Sequence, residues 1–300
     1  MTFMVIIIVL FSALIHSFWN LMGKKYSPSS TFFLISAMSG IIVLLPVLIF
    51  YWNHVINIPG NIWLILVGAG VFQALYFYGL STGYRHGDLS IVYPIGRFLP
   101  VIMVMIIHYA LGNGRELSVF LIIGSCLAGV GAFLLPLKNW TSVSYKDYIN
   151  PCFFFILLMA LGTTGYTIVD DIGVRSLKAL WSDLSVISVS FIYLGLESIS
   201  TFLFLACVVV IQKNERDIIK NKLKPILKPG LLAGVFILLA YGLILTVYPL
   251  VDNVSYVVAF RQISIPIGAL LGIVVLKESC PKVKCLGIIL IFTGMMLIGF

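Results

Sequence analysis

The chain has 300 residues, 61% of them hydrophobic and 10% charged, with a mean hydropathy of +1.11. That balance excludes an ordinary soluble domain, in which about a quarter of residues are charged. The net charge of +8 would suit a nucleic-acid partner, but the basic residues collect at alternate breaks between apolar runs. The charge therefore reads as a membrane-topology signal, and no nucleic-acid partner is expected.

In chain order, apolar runs of spanning length predict ten helices, at about 3–22, 31–51, 62–84, 89–111, 117–137, 151–169, 184–211, 226–249, 254–276 and 283–300. The runs are too long and continuous for barrel strands. The expected fold class is all-α, a polytopic membrane protein. The first run lacks a basic leader and passes through Trp19 and Asn20 into Lys24 and Lys25 without a clear cleavage site, so it reads as a span. On it His16, Trp19, Asn20 and Gly23 share one face at i, i+3, i+4 and i+7. Such a polar and aromatic stripe belongs inside a bundle, where it either lines a pathway or serves as hydrogen-bonding glue.

The third and fourth runs carry Tyr76, Tyr78 and Tyr93, then Asp88 and, nine residues later, Arg97 between Pro94 and Pro100. The sixth repeats the pattern of the first with Thr163, Tyr166, Thr167 and Asp170. Deep in the seventh lies the carboxylate Glu197. It is either a coupling or cation-binding group, or an acid neutralised by Arg97, Arg261 or neighbouring serines. The stretch 213–228 is rich in lysine and reads as a solvated basic loop rather than a lipid-headgroup patch. The eighth and ninth runs hold Tyr241, Asp252, Tyr256 and Arg261, followed by Pro266.

These runs contain an internal repeat. The segment 69–97 matches 233–261 without a gap at an offset of 164, with nine of 29 positions identical, including Asp88 with Asp252 and Arg97 with Arg261. At a different offset His16, Trp19 and Asn20 fall opposite Thr163, Tyr166 and Thr167, while Gly124 and Gly131 are spaced like Gly287 and Gly294. The expected division is a first repeat over 1–137, a linker over 138–150 and a second repeat over 151–300. Five helices per half is an odd number, so the halves should be inverted, related by a pseudo-two-fold axis in the membrane plane. Nine residues of helix span about 13 Å of a core about 30 Å thick, so Arg97 and Arg261 should both lie near mid-depth, reached from opposite sides. A charge there is costly and must face the bundle interior or water. The two arginines either bind an anionic substrate group, or hold gating ion pairs and freed backbone carbonyls. Asp88, Asp170 and Asp252 join Glu197 as candidates for coupling or gating.

Fourteen of the 19 basic residues fall in the connections after odd-numbered helices, which places both termini outside the cytoplasm. Five cysteines form no CxxC, the four histidines lack metal-ligand spacing, and no HExxH, GxSxG or P-loop is present. Neither an enzyme, a metal site nor a cofactor is expected, and any pumping must draw on a gradient.

The residues 13–20 with Lys24 and Lys25, the segment 87–97 with Pro100, the run from Tyr166 through Arg175, and Arg261 through Glu278 together resemble the drug/metabolite transporter superfamily, in its ten-helix branch with two EamA-type repeats. The resemblance implies a transporter, often an exporter of amino acids or related metabolites, with a cavity between the halves and the fifth and tenth helices set to one side. It implies third, fourth, eighth and ninth helices as prominent cavity walls. Small relatives that expel cations use an acid in their first helix, and this chain has none there. The expectation is a secondary transporter of the inner or plasma membrane that exports a small zwitterionic or anionic metabolite. Its substrate-binding candidates are Arg97, Arg261, His16, Trp19, Asn20, Tyr76, Tyr93, Thr163, Tyr166 and Tyr241. Partners expected are a small-molecule substrate, membrane lipid and a coupling proton as an option, in a monomer or homodimer. Proton-coupled efflux of cationic compounds through Glu197, or a non-transport membrane scaffold, are the alternatives.

Overall fold

The computed structural model describes residues 3–86, 89–110, 118–134, 137, 151–275, 277 and 281–298. Among the described residues the chain is helical and without strands. Helices α1 (Phe3–Tyr26), α2 (Ser30–Phe50), α3 (Gly60–His86), α4 (Leu89–Ala110) and α5 (Val119–Leu134) form the first half. The second half holds α6 (Pro151–Leu180), α7 (Val186–Ile211), α8 (Lys213–Val247), α9 (Val254–Phe260), α10 (Ser264–Val275) and α11 (Lys282–Ile298). One helical turn, Trp52–Val55, links α2 to α3, and 3₁₀ turns lie at Tyr248–Leu250 and Arg261–Ile263. Every expected span has a helical counterpart. The ninth is made of three pieces: α9, the 3₁₀ turn and α10. The break falls at Arg261, and Pro266, which has no N–H to give the carbonyl of Gln262, helps to explain it.

Seven of the described stretches are long and apolar enough to cross a membrane, and Ile95–Val104 and Val119–Leu134 are apolar but shorter. Two helices exceed their expected bounds. Helix α6 was expected to end near 169 but continues to Leu180, because the charges that suggested an exit are satisfied on the helix: Arg175 Nε donates to Asp171 Oδ1 at 2.7 Å, an i,i+4 pair. Helix α8 was expected from 226 but begins at Lys213, so the basic run is a helical extension rather than a loop. Its Lys, Glu, Leu and Ile residues are helix-compatible, and Arg216 turns back onto the carbonyls of Val210 and Ile211 at the end of α7.

Lipid tails are as apolar as leucine, so burial of hydrophobic surface does not select the packed face. Helix α1 shows the result. Its buried face carries Ser12, Ala13, His16, Ser17, Asn20 and Gly23, while Phe3, Ile7, Phe11 and Phe18 point outward. Helices associate instead through close backbone approach at small residues. A methyl group built on Gly162 of α6 would lie 2.5 Å from Tyr76 N and 2.7 Å from Phe72 O of α3. Helices α5 and α11 meet the same way: Gly131 abuts Gly287 and Ile291, and Gly294 abuts Gly124 and Ala128, so the two run antiparallel.

One contact recurs at the repeat offset. Gly70 of α3 packs against Ser200 of α7, and Gly234 of α8 packs against Ser36 of α2; both members of the second pair stand 164 positions from those of the first. In each case a serine hydroxyl reaches a backbone carbonyl of the partner helix: Ser200 Oγ lies 3.5 Å from Val67 O, and Ser36 Oγ 3.0 Å from Gly230 O. The four helices α2, α3, α7 and α8 thereby enclose a central cleft.

Substituting Gly162 by Ala should lower the apparent Tm of the detergent-solubilised protein, with an overpacking cost of about 1–3 kcal/mol, since the new methyl meets backbone rather than a movable side chain. Gly60→Ala, where nothing lies within 4 Å of the added carbon, should leave it unchanged. Equal melting of both variants would contradict the packing described.

Candidate functional site

Both interior arginines are buried: Arg97 on α4 is 2% exposed and Arg261, at the break in the ninth pass, 5%. They approach each other through α10. Arg97 Nη2 donates to Ser264 Oγ at 3.3 Å, and Ser264 lies three residues past Arg261. The carbonyl of that same serine accepts Ser17 Oγ of α1 at 3.0 Å. On α1, His16 is the residue before Ser17 and is itself buried. Charges delivered from distant parts of the chain therefore share one region of the interior.

A cluster of tyrosines faces Arg261. Its guanidinium carbon lies 5.6 Å from the centre of the Tyr241 ring, within cation–π range. Tyr166 stands edge-on between Tyr241 and Tyr76, with ring centres 5.4 and 5.7 Å away. The Tyr241 hydroxyl donates to Asp170 Oδ2, and the Tyr193 hydroxyl donates to Asp170 Oδ1 at 2.8 Å. Asp170 is fully buried, and Arg261 lies within electrostatic reach of it. Two phenols thus donate to an acid inside the bundle, the hydrogen bonding that makes a buried polar group tolerable.

Beside this lies the central cleft, of about 390 Å³ counted with the space at its mouth, bordered by Ser36, Gln73, Glu197, Thr201 and Tyr241. Glu197, 1% exposed, takes neither of the partners expected for it: its Oε1 accepts Gln73 Nε2 at 3.1 Å, and no salt bridge to an arginine forms among the described residues.

Polar ties close both ends. At one, Glu215 of α8 is fully buried and binds Arg85 Nη2, Thr31 N at 2.9 Å and Thr31 Oγ1 at 2.8 Å, while Arg85 Nε donates to Pro28 O at 2.8 Å. At the other, Arg175 Nη2 donates to Tyr248 O at 2.6 Å and Val251 O at 2.7 Å, His54 faces Asp183 at 3.5 Å, and the Tyr51 hydroxyl reaches Ser188 Oγ at 3.2 Å. In each half an arginine fastens the end of the first helix to the end of the third.

A bundle of membrane-length helices with a polar, charge-bearing interior is compatible with a solute carrier, and comparison with known families bears on that reading. Residues 3–137 match the model of the EamA-like transporter family. That match and the apolar helices together indicate a multi-pass membrane protein and point toward the drug/metabolite type of transporter, a family of carriers rather than enzymes. One of 27 solved chains that match, described only as the crystal structure of a protein, superposes with a TM-score of 0.68 over 99% of this chain and 96% of its own. At 12% identity that likeness speaks to the fold alone. No curated protein sequence matches the chain.

Within this EamA-type interior the residues singled out by sequence divide. Arg97, Arg261, His16, Tyr166, Tyr241 and Asp170 are all buried, and contacts join Arg261, Tyr241, Tyr166 and Asp170. Trp19 is buried against Phe33 and Phe77, and Asn20 turns its amide to His16 O while Tyr84 approaches its carbonyl oxygen at 3.4 Å. Thr163 donates to Met159 O one turn back on its own helix. Asp252 is exposed at the bend after α8. Asp88 and the side chain of Tyr93 lie outside the described residues. Three participants had gone unnoticed: Tyr193, Gln73 and Glu215. The first two sit in apolar runs where one polar residue is unremarked, and Glu215 stands in a lysine-rich stretch where an acid looks solvated.

Tyr241→Phe removes one donor from a buried carboxylate and keeps the ring beneath Arg261. It should destabilise the protein by about 1–3 kcal/mol, and Tyr193→Phe should act on the same carboxylate, so the two effects should be non-additive in a double-mutant cycle read by thermal unfolding. Additive losses would show that the two phenols do not share Asp170.

Proposed function

We propose that this EamA-family protein is a secondary transporter of the cell membrane that exports a small zwitterionic or anionic metabolite, such as an amino acid, by alternating access between two inverted five-helix halves. The observation that supports the reading is that Arg97 bonds Ser264, three residues from Arg261, while Arg261 lies over the Tyr241 ring whose hydroxyl binds Asp170, so that cations for a carboxylate and an acid for an ammonium group lie in one interior. Repeats over 1–137 and 151–300, joined by 138–150, are supported by the Gly70–Ser200 and Gly234–Ser36 contacts at one offset and by the antiparallel α5–α11 pair. An inverted relation brings helices that are equivalent in the two halves together head to tail. The basic residues of α8 and of the connections after α1 and α3 support termini outside the cytoplasm.

The end ties give alternating access its parts. Arg85, Glu215 and Thr31 stand on the lysine-rich, cytoplasmic side in this orientation, and Arg175 with the His54–Asp183 pair on the other. Opening one end requires breaking one set while the other holds.

Cells producing Arg97→Ala or Arg261→Ala should export labelled amino acids at least about tenfold more slowly than the parent, the loss that 1.4 kcal/mol represents; unchanged rates for every substrate the parent moves would remove both arginines from the site. Glu215→Gln should loosen the cytoplasmic tie. A cysteine introduced by Ser36→Cys in the cleft should then react faster with a thiol reagent added from the cytoplasmic face of oriented membranes. Equal labelling with and without Glu215→Gln would deny the tie a gating role.

A further inference from the structure

We propose that the cleft between α2, α3, α7 and α8 is a proton-carrying site centred on Glu197, adjoining the arginine centre at Tyr241. The Glu197 carboxyl is buried and divided in its bonding: Oε1 accepts from Gln73, and Oε2 has no hydrogen-bond partner among the described residues. Thr201 Oγ1, one turn further along α7 and bordering the same cleft, is buried and likewise unpartnered there. Two oxygens that could exchange hydrogen bonds with water therefore border one small space. Only about 30 Å³ of it accommodates the centre of a water molecule, room for about two waters and not for a metabolite.

The surroundings select a proton over a metal ion. The titratable groups that act on Glu197 are Asp170 of α6, Tyr193 of α7 and Tyr241 of α8, while the cleft lining from α2 and α3 is uncharged. None of these is a cation. Asp170 receives two phenol donors, while Glu197 depends on Gln73 alone. A magnesium or calcium ion asks for six or more oxygens with several carboxylates among them, and no cluster with metal-ligand composition occurs among the described residues. A carboxyl group in hydrocarbon with one amide donor is neutralised most simply by carrying a hydrogen on Oε2.

The step is a proton transfer. The O–H bond at Oε2 breaks, a cleft water takes the proton to become hydronium, and the electron pair stays on a carboxylate held by the Gln73 amide. The Thr201 hydroxyl, by rotation, can supply a second donor. In the matching register of the two halves, Phe33 stands where Glu197 does and Ile237 where Gln73 does, so there is one such site per chain. Coupling this proton to solute movement rests on the transport reading above; the proton site itself does not.

The test separates the two. Purified protein in lipid vesicles is titrated with acid and base while the infrared C=O absorption of protonated carboxyl groups is followed. The parent should show a pH-dependent band that Glu197→Gln removes and that differs from any band removed by Asp170→Asn. Thr201→Val, which keeps the acid, should shift the frequency of that band without abolishing it, and this covers the case in which Glu197→Gln fails to fold. A spectrum that Glu197→Gln and Thr201→Val both leave unchanged at every pH overturns the proposal. In the same vesicles, a pH gradient should drive labelled amino acids in the parent and at least about tenfold less in Glu197→Gln; retention of gradient-driven movement alongside loss of the band overturns the coupling. If the parent moves no amino acid at all, the transport reading fails and the infrared assignment is judged on its own.

Discussion

Two guanidinium groups that cannot be left in hydrocarbon organise the interior of this protein. Each would cost about 3 kcal/mol or more if it met lipid, so the chain surrounds them with groups that accept or spread the charge. Ser264 touches one arginine, and Tyr241 lies beneath the other while holding Asp170. The break of the ninth pass into α9, a 3₁₀ turn and α10 belongs to the same arrangement, for it sets Arg261 and Ser264 a turn apart where α1 and α4 can reach them. Irregular backbone at membrane depth is tolerated only when buried in protein or lining a cavity, and here it is buried with the charges.

The bundle around that interior is held by contact rather than by exclusion of water. Glycine and serine let α3 lie against α6 and α7, and α8 against α2, with separations at which one added methyl would strike backbone. Such surfaces are rigid against compression but have few large side chains to unlock, so helices can tilt about them while the seams stay intact. The bonds that would resist tilting are concentrated at the two ends, in the Arg85–Glu215–Thr31 cluster and around Arg175. A stiff middle with breakable ends is what the proposed alternating access would require.

Much of this was legible in the residues. Ten apolar runs mark the passes, and a charged pair repeated at one offset marks the interior arginines, because hydropathy and charge are properties that a membrane reads one residue at a time. What escaped depended on partners far apart in the chain. Asp170 and Asp171 look like the end of a span until Tyr193, Tyr241 and Arg175 are seen to satisfy them, which lets α6 continue to Leu180. Glu197 offers arginines and serines as equally reasonable partners, and only the packing of α3 against α7 selects Gln73. Glu215 is surrounded in sequence by lysines, yet helix extension of α8 carries it to Arg85 and Thr31 and out of solvent. Local charge is a good guide to where the membrane ends and a poor one to which charges meet.

The Gln73–Glu197 pair has a counterpart in neither Ile237 nor Phe33. Had five helices assembled as a dimer of identical chains, any acid would have come as a twin, two like charges facing each other across the axis. If the chain is two joined copies, as proposed above, each copy is free to mutate alone, so a single ionisable group can sit off-centre while its counterpart position stays greasy. Lopsided chemistry of this kind is closed to a dimer of identical chains related by an exact axis.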